Sequence, residues 1–143
     1  MDASDRLFIV TAFLIQLVLL AYFVFRKVNF DAALQWGWIV YAMAVPALFV
    51  SFVMIRAGKP WAFWVGGLLF TAWAILGFIV DIARPVAWRS PPLLPVFIPY
   101  VLLYLGAQMF YWFPVGMLER SLWYLFAFLF VVSTYFNITS HNT

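Results

Sequence analysis

The sequence contains no cysteine and a single histidine, His141, in 143 residues. Without a thiol, the chain has no means of forming disulfides, thiolate metal sites or iron–sulfur clusters, and thiol catalysis is excluded. One histidine also excludes a haem held between two histidines of this chain alone. We therefore expect neither a metal site nor a cofactor.

Charged residues are scarce as well. Only 9% of the residues are charged, whereas soluble domains contain about 25%. The net charge of +3 comes from scattered residues, which form no basic patch dense enough to neutralise several phosphates. Nucleic acid is therefore not an expected partner. The hydrophobic share is 68%, and a soluble fold of this size is unable to bury that much apolar surface. We therefore expect the solvent around this chain to be lipid.

Five apolar runs of 18 to 21 residues follow one another with short connections. A helix of about 20 residues crosses a bilayer, and lipid offers the backbone no other hydrogen-bond partners. The sequence predicts an all-α integral membrane protein with one transmembrane domain, a compact bundle of five transmembrane helices. Four spans plus one interfacial helix is the alternative. The single domain covers residues 1–143, with spans at about 7–25, 37–55, 61–80, 93–113 and 121–138.

The charges beside the first run predict its start and its orientation. Ser4 or Asp5 is placed to cap the first helix. Arg26 and Lys27 follow the run, whereas aspartates precede it. Because positive residues stay on the inner side, this pattern predicts that the N-terminus lies outside and the C-terminus inside.

Most of the tryptophans fall near predicted span ends, which is typical of an aromatic belt at the lipid headgroups. Trp73 is the exception, because it lies in the middle of the third run. Gly77, one turn further along, leaves room beside its ring, so the two residues form a candidate apolar pocket. The belt tryptophans are Trp36, Trp38, Trp61, Trp64, Trp88, Trp112 and Trp123.

The fourth run carries a polar face. Tyr100, Tyr104, Gln108 and Tyr111 are spaced by four, four and three, which places them on one side of a helix. Gln16 in the first run is a further polar side chain that needs a buried partner in lipid. Two interpretations stay open. These groups either join helices by hydrogen bonds or line a pocket or polar path for a ligand.

Small residues and prolines predict how the helices pack. In the third run Gly66 lies four residues after Ala62, and Gly67 lies four before Thr71, a spacing that allows close helix approach. The third helix is therefore predicted to be central. Pro46, inside the second run, and Pro99, inside the fourth, each remove a backbone hydrogen bond and predict a kink in their helices.

The stretch DIARPVAWRSPPLLP, residues 81–95, concentrates charge and proline. Asp81 ends the third helix, where the helix dipole disfavours an anion, so it needs a cation such as one of the two arginines that follow. Proline chemistry predicts that the third helix stops before Pro85 and that the fourth starts between Pro92 and Pro95. We expect this rigid turn to meet lipid headgroups or a neighbouring subunit. The candidate contacts are Asp81, Arg84, Trp88 and Arg89.

The sequence contains no motif for enzymatic chemistry. It shows no intramembrane carboxylate pair, no nucleophile–base pair, no phosphate-binding glycine loop and no metal-ligand cluster, so we predict no catalytic residue. The favoured function is an accessory or structural subunit of a membrane assembly or homo-oligomer, with lipids and other subunits as partners. The alternative is a binding or transport protein for a lipid or other apolar small molecule, and an enzyme acting on lipids is the third interpretation.

The five runs, the many tryptophans and the tripeptide KPW at 59–61 resemble the tryptophan-rich translocator family. In this chain the tripeptide follows the second run rather than the first. The longer aromatic–proline pattern that surrounds it in that family is missing. The resemblance therefore transfers no site residue to this sequence.

Overall fold

The computed structural model describes residues 1–88 and 92–140, and these residues form helices and connections without a strand. Five helical segments are long and apolar enough to cross a membrane, by length and composition. The predicted all-α class is confirmed, and the number of long apolar helical segments agrees with the five predicted runs. The segments are Ala3–Val28, Phe30–Arg56, Trp61–Ala83, Leu94–Leu118 and Arg120–Thr139.

The second and third segments are composite. The second divides at Met43, because Pro46 has no amide hydrogen to donate to the carbonyl four residues earlier, so the change of course predicted at Pro46 is a break between two helices. The fourth segment is one unbroken helix through Pro99, and the kink predicted there stays a prediction. The third begins with a 3-10 turn and ends in a π-helical turn, Ile79–Ala83. The helices are α1, Ala3–Val28; α2, Phe30–Ala42; α3, Ala44–Arg56; α4, Val65–Phe78; α5, Leu94–Leu118; and α6, Arg120–Thr139.

Two predicted connections are wrong in length. Residues 26–36 were predicted as a connection, yet only Asn29 separates α1 from α2, and only Glu119 separates α5 from α6. The Asn29 side chain accepts the amide of Ala32 at 3.2 Å and so caps α2. Hydropathy marks the end of an apolar run, whereas these helices continue through their polar ends. The predicted stop before Pro85 and start of α5 between prolines 92 and 95 are both confirmed.

Successive segments run in opposite directions, so the bundle has two distinct ends. The N-terminal end contains the start of α1, residues 57–60 and Glu119, while the C-terminal end contains Asn29, the turn after Ala83 and Ser140.

At the N-terminal end, the predicted cap of α1 at Ser4 or Asp5 is wrong. Asp2 is the cap, because its Oδ1 accepts the amide of Asp5 at 2.9 Å while the Asp5 carboxylate faces back to the Asp2 amide. Lys59 Nζ lies 2.9 Å from a carboxylate oxygen of each aspartate and ties residues 57–60 to α1. The Ser4 hydroxyl, the Asp5 amide and Lys59 hold the pKa of Asp2 well below its ordinary value.

Helix α4 lies against α2, α3 and α5, as its small residues predict. A Cβ on Gly67 would lie 2.8 Å from the carbonyl oxygen of Ala47 in α3, and one on Gly66 would lie 3.1 Å from the backbone of Phe110 in α5. Two adjacent glycines therefore let α4 touch one helix on each side. This close approach makes the third segment the centre of the bundle.

Candidate functional site

The predicted polar face of the fourth run points into the bundle. Tyr100, Tyr104, Gln108 and Tyr111 are all buried on α5, and Gln16 on α1 is buried as well. The spacing of these residues therefore predicted correctly which face of α5 is buried. Binding of a ligand by this polar face stays a prediction, and the contacts of each side chain are the evidence for or against it.

One hydrogen-bonded group joins three helices through this face. Gln16 Nε2 in α1 donates to Ser133 Oγ in α6 at 3.0 Å. The hydroxyl of Tyr104 in α5 lies 3.2 Å from the same oxygen and 3.3 Å from Thr134 Oγ1. Hydrogen bonds of this kind contribute roughly 0.6–2 kcal/mol each between membrane helices. These contacts favour the interpretation that the polar face holds helices together, and the sequence had not pointed to the two hydroxyls in α6.

Three buried polar atoms have no hydrogen-bond partner among the residues that the structure describes. They are Gln16 Oε1, Trp73 Nε1 and the hydroxyl of Tyr111. A buried polar group left in this state costs about 1–3 kcal/mol. Such groups are rare in folded proteins and often belong to sites with a binding or chemical role. They keep the second interpretation, a ligand-binding interior, open.

The space predicted beside Trp73 is filled by an aromatic ring. Trp73 is fully buried, and the ring centroids of Tyr41 and Tyr100 each lie 5.3 Å from its own. A Cβ on Gly77 would lie 2.7 Å from the hydroxyl oxygen of Tyr41. Gly77 therefore makes room for Tyr41, and a ligand beside Trp73 would have to displace that ring.

An open apolar groove lies on the outer side of Tyr41. It has a volume of about 320 Å³ and follows the interruption between α2 and α3, where it meets α4. Alanines contribute from all three helices, and their short side chains leave the space open. Its lining residues are Trp38, Tyr41, Ala42, Ala44, Ala74, Ile75, Phe78 and Ile79.

Asp81 joins the π-helical turn to two other parts of the chain. Its Oδ2 accepts the hydroxyl of Tyr41 at 2.6 Å, and its Oδ1 accepts the indole N–H of Trp88 at 3.0 Å. Sequence reasoning considered only arginines as partners and missed these two donors. Arg84 is exposed, and the prediction for Arg89 falls outside the described residues.

The prediction that Trp88 contacts lipid headgroups is wrong. Its side chain is 1% exposed, and its ring centroid lies 4.5 Å from that of Tyr100. The hydrogen bond to Asp81 satisfies the indole N–H inside the bundle, so this group does not require a partner at the membrane–water interface. Position near a span end did not distinguish Trp88 from the exposed Trp36 and Trp61.

Arg26 is a buried cation that sequence reasoning placed at the membrane flank. Its side chain is fully buried, its Nε donates to Ser140 Oγ at 2.8 Å, and its Nη2 donates to Asn137 Oδ1 at 2.5 Å. The guanidinium also lies 4.9 Å from the ring centroid of Phe23. These contacts place a positive charge at the C-terminus of α6, where the helix dipole favours it. The signal in the sequence that could have predicted a buried partner for Arg26 was the pair of polar residues Asn137 and Ser140 at the end of the fifth run.

Compared with known proteins, the chain matches no family model, no curated protein and no solved structure. The resemblance carried by KPW thus has no further support. Among the described residues, no group of three His, Asp or Glu side chains is placed to hold a metal ion. The fold and its interior define a class: an all-helical bundle with five candidate spans around a buried aromatic and polar core.

The Arg26 contacts generate a stability prediction. Arg26→Gln should lower the free energy of unfolding by about 3 kcal/mol, because hydrogen bonds to a charged group contribute about 1.5–3 kcal/mol each. Lys27→Gln is the matched control, since Lys27 is exposed and bonds to Thr139 Oγ1 at 3.0 Å. Unfolding in mixed micelles measures both variants. Equal losses would contradict a special role for the buried guanidinium.

Proposed function

We propose that the chain is a multi-pass integral membrane protein and acts as an accessory or structural subunit of a membrane assembly or homo-oligomer. The outer face of α6 is its packing surface, and it contacts a second copy of the chain or another membrane subunit. Membrane lipids cover the remaining apolar surface.

The observation that carries this proposal is the exposure of α6. Only 17% of its apolar window is buried, against 28% to 44% for the other four segments. Its outer side chains follow one another at intervals of four, three, four and three, an average of 3.5, which is the spacing of a helix–helix seam. The residues of this α6 seam are Tyr124, Phe128, Val131, Tyr135 and Ile138, all more than half exposed.

The inner face of α6 supports the same proposal. Ser133 bonds to Gln16 and Tyr104, and Asn137 and Ser140 bond to Arg26. These polar contacts fix the rotation of α6 within the bundle. A helix with fixed rotation presents the same outer residues to a partner at all times, which specific packing between membrane helices requires.

The seam is tested by disulfide cross-linking, because the chain has no cysteine of its own. Val131→Cys should give a covalent dimer on oxidation in native membranes if a second copy packs on α6. Phe52→Cys, exposed on α3, is the control and should remain monomeric. A photo-crosslinking amino acid at position 128 extends the test to a different subunit. It should give a cross-linked product of a single mass, and the same amino acid at position 52 should not give that product. A monomer without adducts from either position overturns the proposal.

The orientation is part of the proposal, with the N-terminal end outside. Ala57→Cys at the N-terminal end should react with a membrane-impermeant thiol reagent on intact cells. Ala87→Cys at the C-terminal end should react only after permeabilisation; both positions are exposed. The reverse pattern contradicts the orientation. Labelling of both from one side contradicts five spans.

The apolar groove beside Tyr41 favours a second function, binding or transport of a lipid or other apolar small molecule. Its volume of about 320 Å³ lies within the range of small-molecule sites, about 300–1,000 Å³. The lining is formed by aromatic, aliphatic and alanine side chains, and it contains no charged residue. A ligand with an apolar body suits this lining, and it would lie against the outer side of the Tyr41 ring.

Filling the groove tests this second function. Ala42 is exposed on the rim, so Ala42→Trp should remove the thermal stabilisation produced by a bound ligand. Ala21→Trp, at an exposed position of α1, which contributes no residue to the groove, should retain it. The probes are a long-chain alcohol, a sterol and an isoprenoid quinone, each measured by thermal unfolding in detergent. Equal shifts in both variants, or none with the parent chain, exclude the groove as the site.

A further inference from the structure

A second cleft lies at the N-terminal end, between α5 and α6. It has a volume of about 360 Å³ and opens where α5 ends and α6 begins, one residue apart. Both helices belong to candidate spans, so in a bilayer this junction stands at headgroup depth. The lining residues are Phe113, Gly116, Met117, Arg120, Trp123 and Tyr124.

One wall of the cleft is a preformed aromatic surface. The indole of Trp123 stacks on that of Trp112 with centroids 4.8 Å apart, and Trp112 Nε1 donates to the Trp123 carbonyl at 3.1 Å. A Cβ on Gly116 would lie 3.0 Å from Trp123 Cγ, so glycine is what allows the indole to lie against α5. The wall is held in place before any ligand arrives, which lowers the cost of binding.

The mouth of the cleft carries a positive charge. Arg120 is exposed, and its guanidinium makes no hydrogen bond or ion pair with the residues described in the structure. The neighbouring carboxylate of Glu119 accepts the Ser121 hydroxyl at 3.2 Å and does not line the cleft. Arginine binds a phosphate through two parallel N–H donors, so the mouth fits a phosphate group.

The remaining lining fits a hydrocarbon chain. Phe113 and Met117 lie four residues apart on α5, so their side chains follow each other on one face. Both are 60% exposed and lead from the mouth towards the middle of the span. A ligand with a phosphate at one end and an acyl chain at the other matches both parts of the cleft.

We propose that this cleft binds one anionic phospholipid of the surrounding bilayer, with its phosphate on Arg120 and an acyl chain along Phe113 and Met117. The site requires an anionic lipid because the charge that lines it is positive. It does not depend on the α6 seam or on the groove beside Tyr41, although Tyr124 borders both the cleft and the seam.

Native mass spectrometry of the full chain in mild detergent tests the proposal, with phosphatidylglycerol as the probe. The parent chain should retain one lipid, and Arg120→Gln should bind it about fivefold more weakly, the scale of one basic residue at a membrane surface. Arg56→Gln is the control, because Arg56 is also exposed at the N-terminal end but does not line the cleft. Its affinity should be unchanged. Met117→Trp should also weaken binding by occupying the path of the acyl chain.

The comparison lipid is phosphatidylcholine with the same acyl chains, which should bind the parent chain about fivefold more weakly. Glycerol phosphate, which has the headgroup chemistry without the chains, should not displace the bound lipid. Equal losses in Arg120→Gln and Arg56→Gln overturn the proposal, as does equal binding of the two lipids. Displacement by glycerol phosphate overturns it too, since the acyl chain would then contribute nothing. Thermal unfolding of each variant establishes that it is folded, and Met117→Trp provides a second test that leaves Arg120 intact.

Discussion

The close approach of α4 to its neighbours is the contact on which the rest of the bundle depends. Gly66 and Gly67 bring the backbone of α4 against α5 on one side and α3 on the other. That approach places Trp73 in the middle of the molecule, where aromatic rings from α2, α4 and α5 close around it. A side chain at either glycine would separate the helices. The packed interior is thus a consequence of two residues that have no side chain of their own.

The two ends of the bundle are fastened by different chemistry. At the N-terminal end, Lys59 bridges Asp2 and Asp5 close to the surface, where water and salt weaken ion pairs. At the C-terminal end, Arg26 is fully buried and Asp81 accepts two neutral donors. Buried hydrogen bonds to a charge are stronger and hold one geometry. Water and salt therefore weaken the contacts of Arg26 less than those of Lys59.

Periodicity was enough to predict the helices and the direction of the polar face, because both follow from the 3.6-residue repeat. Periodicity was insufficient to predict which side chains contact one another between helices. Arg26 and Trp88 lie near span ends, where composition predicts exposure, yet both are buried because other segments bring acceptors to them. Tyr41 fills the space beside Gly77 from a different helix. Contacts between distant segments depend on how helices rotate against one another, which the sequence pattern of a single run does not contain.

The closed interior shifts the candidate function to the outer surface. A path through the bundle would have to pass the ring of Tyr41, which fills the room beside Trp73 and is held by Asp81. Surface features require no such rearrangement, because the α6 seam, the groove beside Tyr41 and the cleft at Arg120 are all open in the structure. Of these, the seam consists of aromatic and aliphatic side chains without a charge, whereas the cleft at Arg120 combines a positive charge with an apolar lining. Uniform apolar faces suit other helices, and amphipathic clefts suit lipids. We therefore assign the two features to different proposed partners, another helix for the seam and a lipid for the cleft.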